Sequence, residues 1–260
     1  MNECLQRRTT NVDSRRSMNE QYTYDEIAQM IDHSLLSPAL TETDMENGCV
    51  LALNYQVASV CIMPYYLARC AEILRGSMVQ PSTTVGFPHG GHTTSVKLAE
   101  AAQALGDGAT ELDAVINISK ARSGDWRYVV EEVRALTDLT HSGGAKIKVI
   151  FENAYHDEPS KIRLCQICGD CGVDWVKTST GYASTGAILE DLRLMRAHSP
   201  RSVQVKAAGG IRDLDALLAV RALGVSRVGA TRTATMLEDC RARLGLEALN
   251  PEADKVSPQI

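Results

Sequence analysis

From about Tyr22 to Leu246, short apolar runs alternate with longer amphipathic stretches. The short runs "IDHSLL", "ASVCIM", "TTVGFP", "ELDAVIN", "IKVIFEN", "DWVKTST", "SVQVKAA" and "SRVGAT" read as eight strands. Between them, helical spacing covers Glu42–Tyr55, Tyr66–Gly76, Ser95–Leu105, Trp126–Thr140, Ser160–Cys171, Ile188–His198 and Leu214–Leu223. A strand recurs every 25 to 30 residues, the step of a repeated βα unit and hence of a parallel sheet. Eight such units in about 220 residues predict an α/β fold, a single-domain closed (β/α)8 TIM barrel over residues 21–248. An open doubly wound sheet is the competing architecture, but no GxGxxG follows the first strand.

Within the strands a period of two separates polar from apolar positions. In "ELDAVIN", Glu111, Asp113, Val115 and Asn117 share one face, with Leu112, Ala114 and Ile116 on the other. Trp175, Lys177 and Ser179 line up opposite Val176, and Gln204 and Lys206 opposite Val203 and Val205. If the apolar face meets the helices, charges from three strands converge inside the barrel, which is costly unless they pair or work. Lys177 and Lys206 stand just before the loops at the C-terminal ends of their strands, where barrel active sites lie.

Composition narrows the partners. A net charge of −5 and a pI near 5.7 argue against nucleic acid or an anionic membrane as the main partner. Eight cysteines without a signal peptide read as free thiols in a reducing, cytoplasmic setting. No run approaches the roughly 18 apolar residues of a membrane span. Residues 1–20 mix four arginines with acids and read as a polar extension, and residues 249–260 as a polar tail.

Two inward lysines on adjacent strands suggest chemistry. A free lysine, with a pKa of about 10.4, is protonated and inert toward carbonyls. Desolvation and a second cation nearby lower that value, which is how a Schiff-base lysine is activated. The structural alternative is that each lysine neutralises a buried carboxylate such as Asp113 or Glu152. Asp113 on the fourth strand is the candidate acid/base, direct or through water, and pairing with Lys206 is compatible with that role. Gly209 and Gly210 follow the seventh strand, Thr231 and Arg232 stand where the last helix begins, and Gly181 follows the sixth strand. Barrels bind phosphate with the loops after strands seven and eight and a helix N-terminus, so these residues predict an anion cradle.

The stretches "IDHSLLSP", "SVCIMP", "TVGFPHG", "DGATELDAVINI", "SGDW", "VKTSTGY" and "VKAAGGIR" closely resemble the motifs of the 2-deoxyribose-5-phosphate aldolases, over about residues 28–236 and in order. The resemblance implies reversible cleavage of 2-deoxy-D-ribose 5-phosphate to D-glyceraldehyde 3-phosphate and acetaldehyde. It assigns the Schiff base to Lys177, tuning and proton transfer to Lys206, and water-relayed acid/base work to Asp113. Asp32 and Ser34 would bond sugar hydroxyls, and Cys61 would sit beside the acetaldehyde-derived carbon. Gly181, Gly209, Gly210, Thr231 and Arg232 would hold the substrate's phosphate, and Thr180 would also contact the substrate. The imine is the electron sink, so neither cofactor nor metal is expected. The partner is a small phosphorylated sugar or aldehyde, with a homodimer compatible.

The sequence departs from the family pattern in places. Thr231 replaces the usual serine, and His89, Asn153 and His156 enter loops near the mouth, which puts acceptor specificity in question. The tail "KVSPQI" lacks the terminal tyrosine that some members fold onto the site, leaving a water held by Asp113 to deliver the proton. Cys165, Cys168 and Cys171 have metal-like spacing but no evident fourth ligand, and read as helix-core residues. His33 is expected beside the barrel mouth. Two rival readings are a class I aldolase of the same mechanism acting on another phosphorylated sugar or aldehyde, and a catalytically silent phosphate-binding barrel. A metal-dependent lyase is a third.

Overall fold

A computed structural model describes residues 22–249. The extension expected at residues 1–20 and the tail after Leu249 lie outside the described residues. Eight strands pair in parallel, in chain order, into a closed barrel. They are β1 (Ile31–Leu35), β2 (Ser59–Ile62), β3 (Gln80–Val85), β4 (Glu111–Val115), β5 (Lys146–Ile150), β6 (Trp175–Lys177), β7 (Gln204–Ala208) and β8 (Arg227–Ala230). The helices are α1 (Tyr24–Ala28), α2 (Glu42–Tyr55), α3 (Leu67–Leu74), α4 (Thr94–Gly106), α5 (Ile118–Arg122), α6 (Trp126–Ser142), α7 (Glu158–Asp170), α8 (Leu189–His198), α9 (Leu214–Ala222) and α10 (Thr233–Arg243).

All eight expected strands are present. The third is displaced: "TTVGFP" places it three residues too late, because the strand already starts at Gln80 and stops at Val85. Pro81, an apparent breaker, sits at the start of that strand, where a missing N–H is tolerated. The short α1 and α5 carry too few residues for their periodicity to show.

Local chemistry starts the helices. Thr23 with Glu26, and Thr41 with Asp44, form reciprocal capping boxes on α1 and α2. Asp125, Asp157 and Asp213 accept from the backbone N–H three residues on and start α6, α7 and α9. The outward strand positions, among them Val60, Leu112, Ile147, Val176, Val205 and Val228, are buried under the helices. Each contributes roughly 1.5–3 kcal/mol by burial. Cys165 of α7 serves that layer, its Sγ approaching Met195 O of α8, whereas Cys171, at the C-cap of α7, turns its Sγ to Val130 O of α6. His33 packs beside the barrel mouth, on the outer face of the wall. It points out of the barrel toward α10, its Nδ1 2.8 Å from Thr233 Oγ1, because it alternates with the inward Asp32 and Ser34.

Candidate active site

A typical barrel interior is filled with layers of Val, Ile and Leu. Here the inward positions of six strands carry charge. Asp32 comes from β1, Glu111 and Asp113 from β4, Lys148 from β5, Lys177 from β6, Lys206 from β7 and Arg227 from β8, all nearly inaccessible to solvent. Strand register interleaves them, with Asp113 paired to Lys148 and Lys177 to Lys206.

The carboxylates are distributed unequally among the cations. Lys148 Nζ lies 2.5 Å from Glu111, 2.9 Å from Asp113 and 3.6 Å from Asp32. Lys206 Nζ lies 2.5 Å from Asp32 and 2.7 Å from Asp113 Oδ2. Arg227 binds Asp32 and Glu111. Lys177 has Asp113 alone, at 2.6 Å and through the Oδ2 that Lys206 also uses. Asp113 therefore accepts from three ammonium groups.

Electrostatics follows from that sharing. Burial lowers the basicity of Lys177, and one shared carboxylate with Lys206 beside it does not restore it. Burial acts on Lys206 too, but Asp113 and Asp32 outweigh it and raise its pKa above the ordinary value. The three carboxylates around Lys148 raise its pKa likewise. Burial works against the charge on Asp113, yet Lys148, Lys177 and Lys206 hold its pKa well below the carboxylate range. With four cations against three carboxylates, the cluster holds one proton too many, and Lys177 is where it leaves most easily.

Above the cluster a cavity of about 460 Å³ opens at the C-terminal ends of the strands. Lys177 and Lys206 reach its floor with Asp32, Ser34 and Cys61, while Thr180, Gly181, Gly209, Gly210, Thr231 and Arg232 form its wall. The sequence thus named eleven residues that share one cavity. Asp113 is fully buried behind the two lysines and reaches the cavity through them. Burial keeps the Cys61 thiol protonated by raising its pKa. Glycine is needed at Gly209, which has φ +81° and where a Cβ would meet Gly186 Cα at 2.8 Å.

Other expectations about the mouth are corrected. Asn153 and His156 do not reach this cavity. Asn153 Nδ2 turns to Met195 Sδ and His156 Nε2 to Phe151 O, both buried in the turn after β5. His89 borders a separate hollow with Arg122 and Tyr155. The glutamate alternative for Lys177 does not hold either, because Glu152 bonds Thr180 instead. Lys148 and Arg227 were missed. Their signal was present: Lys148 alternates with Ile147 and Val149, and Arg227 with Val228, the same parity that marked Asp113. Tyr182 and Arg212, also on the cavity wall, carry no comparable signature.

A closed βα barrel with a lysine of lowered basicity at the base of its C-terminal cavity is the framework of an imine-forming aldolase. The chain belongs to the DeoC/LacD family of aldolases, whose sequence profile matches residues 26–234. It is 61% identical over 228 residues to the deoxyribose-phosphate aldolase of Rhodopirellula baltica, covering 88% of this chain and 95% of the relative. It is 40% identical to that of Thermococcus gammatolerans, over 83% and 97% of the two chains. Among solved structures, an aldolase designated QR15 superposes with a TM-score of 0.80 at 35% identity, over 85% of this chain and 99% of its own. The tetrameric deoxyribose phosphate aldolase of Aeropyrum pernix superposes with a TM-score of 0.79 at 29% identity, over 90% and 98%.

Proposed function

We propose that this aldolase reversibly cleaves 2-deoxy-D-ribose 5-phosphate to D-glyceraldehyde 3-phosphate and acetaldehyde, through an imine on Lys177. The observation that carries the assignment is the unequal sharing of carboxylates, which leaves Lys177 as the amine most readily freed of its proton at the floor of the cavity.

The neutral Nζ of Lys177 attacks C1 of the open-chain aldehyde, and loss of water gives the protonated imine. A base takes the proton of the C3 hydroxyl as the C2–C3 electron pair moves into the iminium. D-Glyceraldehyde 3-phosphate leaves, and an enamine remains on Lys177. Protonation at C2 and addition of water release acetaldehyde and restore the amine. Asp113 Oδ2 lies within 2.7 Å of both lysine Nζ atoms, so it bridges the reacting amine to the protonated Lys206, which can lend a proton toward the imine and recover it by the same path. Lys148 and Arg227 keep that pair charged and fixed from below. The phosphate is held by the backbone at Gly181, Gly209 and Gly210 with Thr231 and Arg232, which places C1 over Lys177. Such positioning is worth several kcal/mol in well-built sites.

Seven of the cysteines are free and buried, which supports a reducing, cytoplasmic setting. We infer a homodimer as the simplest assembly, to be checked by light scattering.

Borohydride trapping tests the assignment. The protein is incubated with 2-deoxyribose 5-phosphate and EDTA, reduced, and digested for mass mapping. An adduct on Lys177 is expected. A folded protein with no adduct there would send the search to other carbonyl substrates.

A further inference from the structure

Glu152 is one of two non-glycine residues with a left-handed backbone among the described residues, at φ +58°. It stands just beyond β5, buried to 2% exposure, where a solvated loop residue would be expected. Such a conformation persists only where the surroundings over-determine it. The backbone next to it is anchored by Asn153 N–H, which donates to Thr178 O at 2.9 Å, and the side chain is held by Thr180. The Thr180 backbone N lies 3.3 and 3.2 Å from the two carboxyl oxygens, and Thr180 Oγ1 binds Oε2. The same Oγ1 accepts from Tyr182 N at 3.0 Å. Thr180 lines the cavity above Lys177, whereas Glu152 does not.

A hydroxyl has one hydrogen and two lone pairs. One lone pair of Thr180 Oγ1 is taken by Tyr182 N–H. If Glu152 is ionised, the Thr180 hydrogen goes to the carboxylate and a lone pair is left for the cavity. If Glu152 is protonated, its own O–H fills the second lone pair, and the Thr180 hydrogen is free to point into the cavity. We propose that Glu152 is a positioning residue whose protonation decides whether Thr180 offers a substrate oxygen a hydrogen or a lone pair. The donor form is the one suited to a phosphate or hydroxyl oxygen, so substrate binding draws a proton onto Glu152.

Burial raises the Glu152 pKa, opposed by the bonds from Thr180 and by Lys177 on β6 and His89 in the loop after β3.

This inference rests on the deoxyribose-phosphate reading, so the test has one arm independent of it. Infrared difference titration of the substrate-free protein is expected to show a protonated-carboxyl band persisting above the ordinary glutamate range and missing from Glu152→Gln. A band that titrates where solvated glutamates do, or that survives the substitution, overturns the proposal. In the kinetic arm, KM for 2-deoxyribose 5-phosphate is followed from acid to neutral pH. The wild-type KM should rise by about ten- to a hundredfold as Glu152 ionises, the factor for losing one hydrogen bond to a charged oxygen. Glu152→Gln carries a permanent N–H toward Thr180 and should keep KM low throughout, with kcat little changed. The second ionisation of the phosphate is common to both proteins and cancels. Thr180→Val should have a high, pH-insensitive KM, and adding Glu152→Gln should change nothing further. Superimposable wild-type and Glu152→Gln profiles overturn the inference. Should Glu152→Gln not fold, a Thr180→Val profile parallel to wild type does the same. A wild-type protein that fails to turn over this substrate rejects the functional reading instead, and the infrared arm still decides the state of Glu152.

Discussion

Lys97 and Lys177 are buried almost equally, at 0% and 3% exposure, and burial lowers the basicity of both. Their surroundings differ. Lys97, on α4, has a carboxylate of its own, Glu132 Oε1 at 2.9 Å, and also donates to Val115 O at 2.7 Å. Glu132 uses its other oxygen on Asn117 N, and a Cβ at Gly86 would lie 2.8 Å from Lys97 Cε, so the amine is matched and walled in. Lys177 shares one carboxylate oxygen with a second ammonium group and opens onto a cavity. Burial alone therefore does not make a nucleophile. A shortage of counter-charge and an open approach for a carbonyl do.

Exchanging each lysine for methionine tests that contrast most directly. Lys177→Met should lose the borohydride adduct and at least about a thousandfold in kcat, as loss of a covalent nucleophile does. Its fold should survive, because the cluster then has three cations for three carboxylates. Lys97→Met should behave in the opposite way: a stability loss of about 3–5 kcal/mol in denaturant titration, because Glu132 is left buried and unpaired, with residual activity in the folded fraction. A Lys97 variant that folds normally yet loses activity would break the contrast.

The pH dependence of imine formation sharpens it. The reactive form of Lys177 is neutral and its pKa is lowered, so the rate rises with pH through that lowered value. Lys206→Met removes the neighbouring cation and leaves more of Asp113 to Lys177, so the Lys177 pKa rises. The acid limb of kcat/KM should then move to higher pH, by roughly one unit or more. A limb that stays in place would mean that Lys206 does not tune the nucleophile.

His33 measures burial without any counter-charge. Burial pushes its pKa down to about 4, with Thr233 as its neutral partner. The unfolded chain, with a histidine pKa of about 6.5, binds the proton more readily. The contribution of His33 is therefore present above the unfolded pKa and is lost as pH falls toward the folded one. About 3 kcal/mol should disappear across that window, and denaturation of His33→Asn should show a flatter profile.

The smallest effect is expected at the rim. Arg232 is exposed at the start of α10, so Arg232→Ala should raise KM for the phosphorylated substrate by only about threefold. The change should vanish with unphosphorylated 2-deoxyribose. Equal effects on both substrates would remove Arg232 from the phosphate cradle.

Alternation along the chain was enough to place Asp113, Lys177 and Lys206 inside a barrel, because a period of two within strands and a recurrence of βα units are local properties. The same parity marked Lys148 and Arg227, but they went unread, since "IKVIFEN" and "SRVGAT" pass as apolar runs. Their meaning depends on partners 35 residues away, for Lys148 and Asp113, and 195 residues away, for Arg227 and Asp32. Which way His156 turns was not legible: its ring goes into the surrounding shell, as that of His33 does. Glu152 was visible only as a buried carboxylate available to either lysine, and its left-handed backbone and its bond to Thr180 could not be read from a linear pattern.

Period, recurrence and motif spacing were thus sufficient for the barrel, for the inward position of Lys177 on β6 and for residues that line the cavity above it, since each is set by order along the chain. Which lysine is short of counter-charge is a different kind of fact. It depends on how many carboxylate oxygens fall within about 3 Å of each amine, a distance at which pairing energies change steeply. Closure of eight strands in one register sets those distances, and with them separates Lys177 from Lys148 and Lys206.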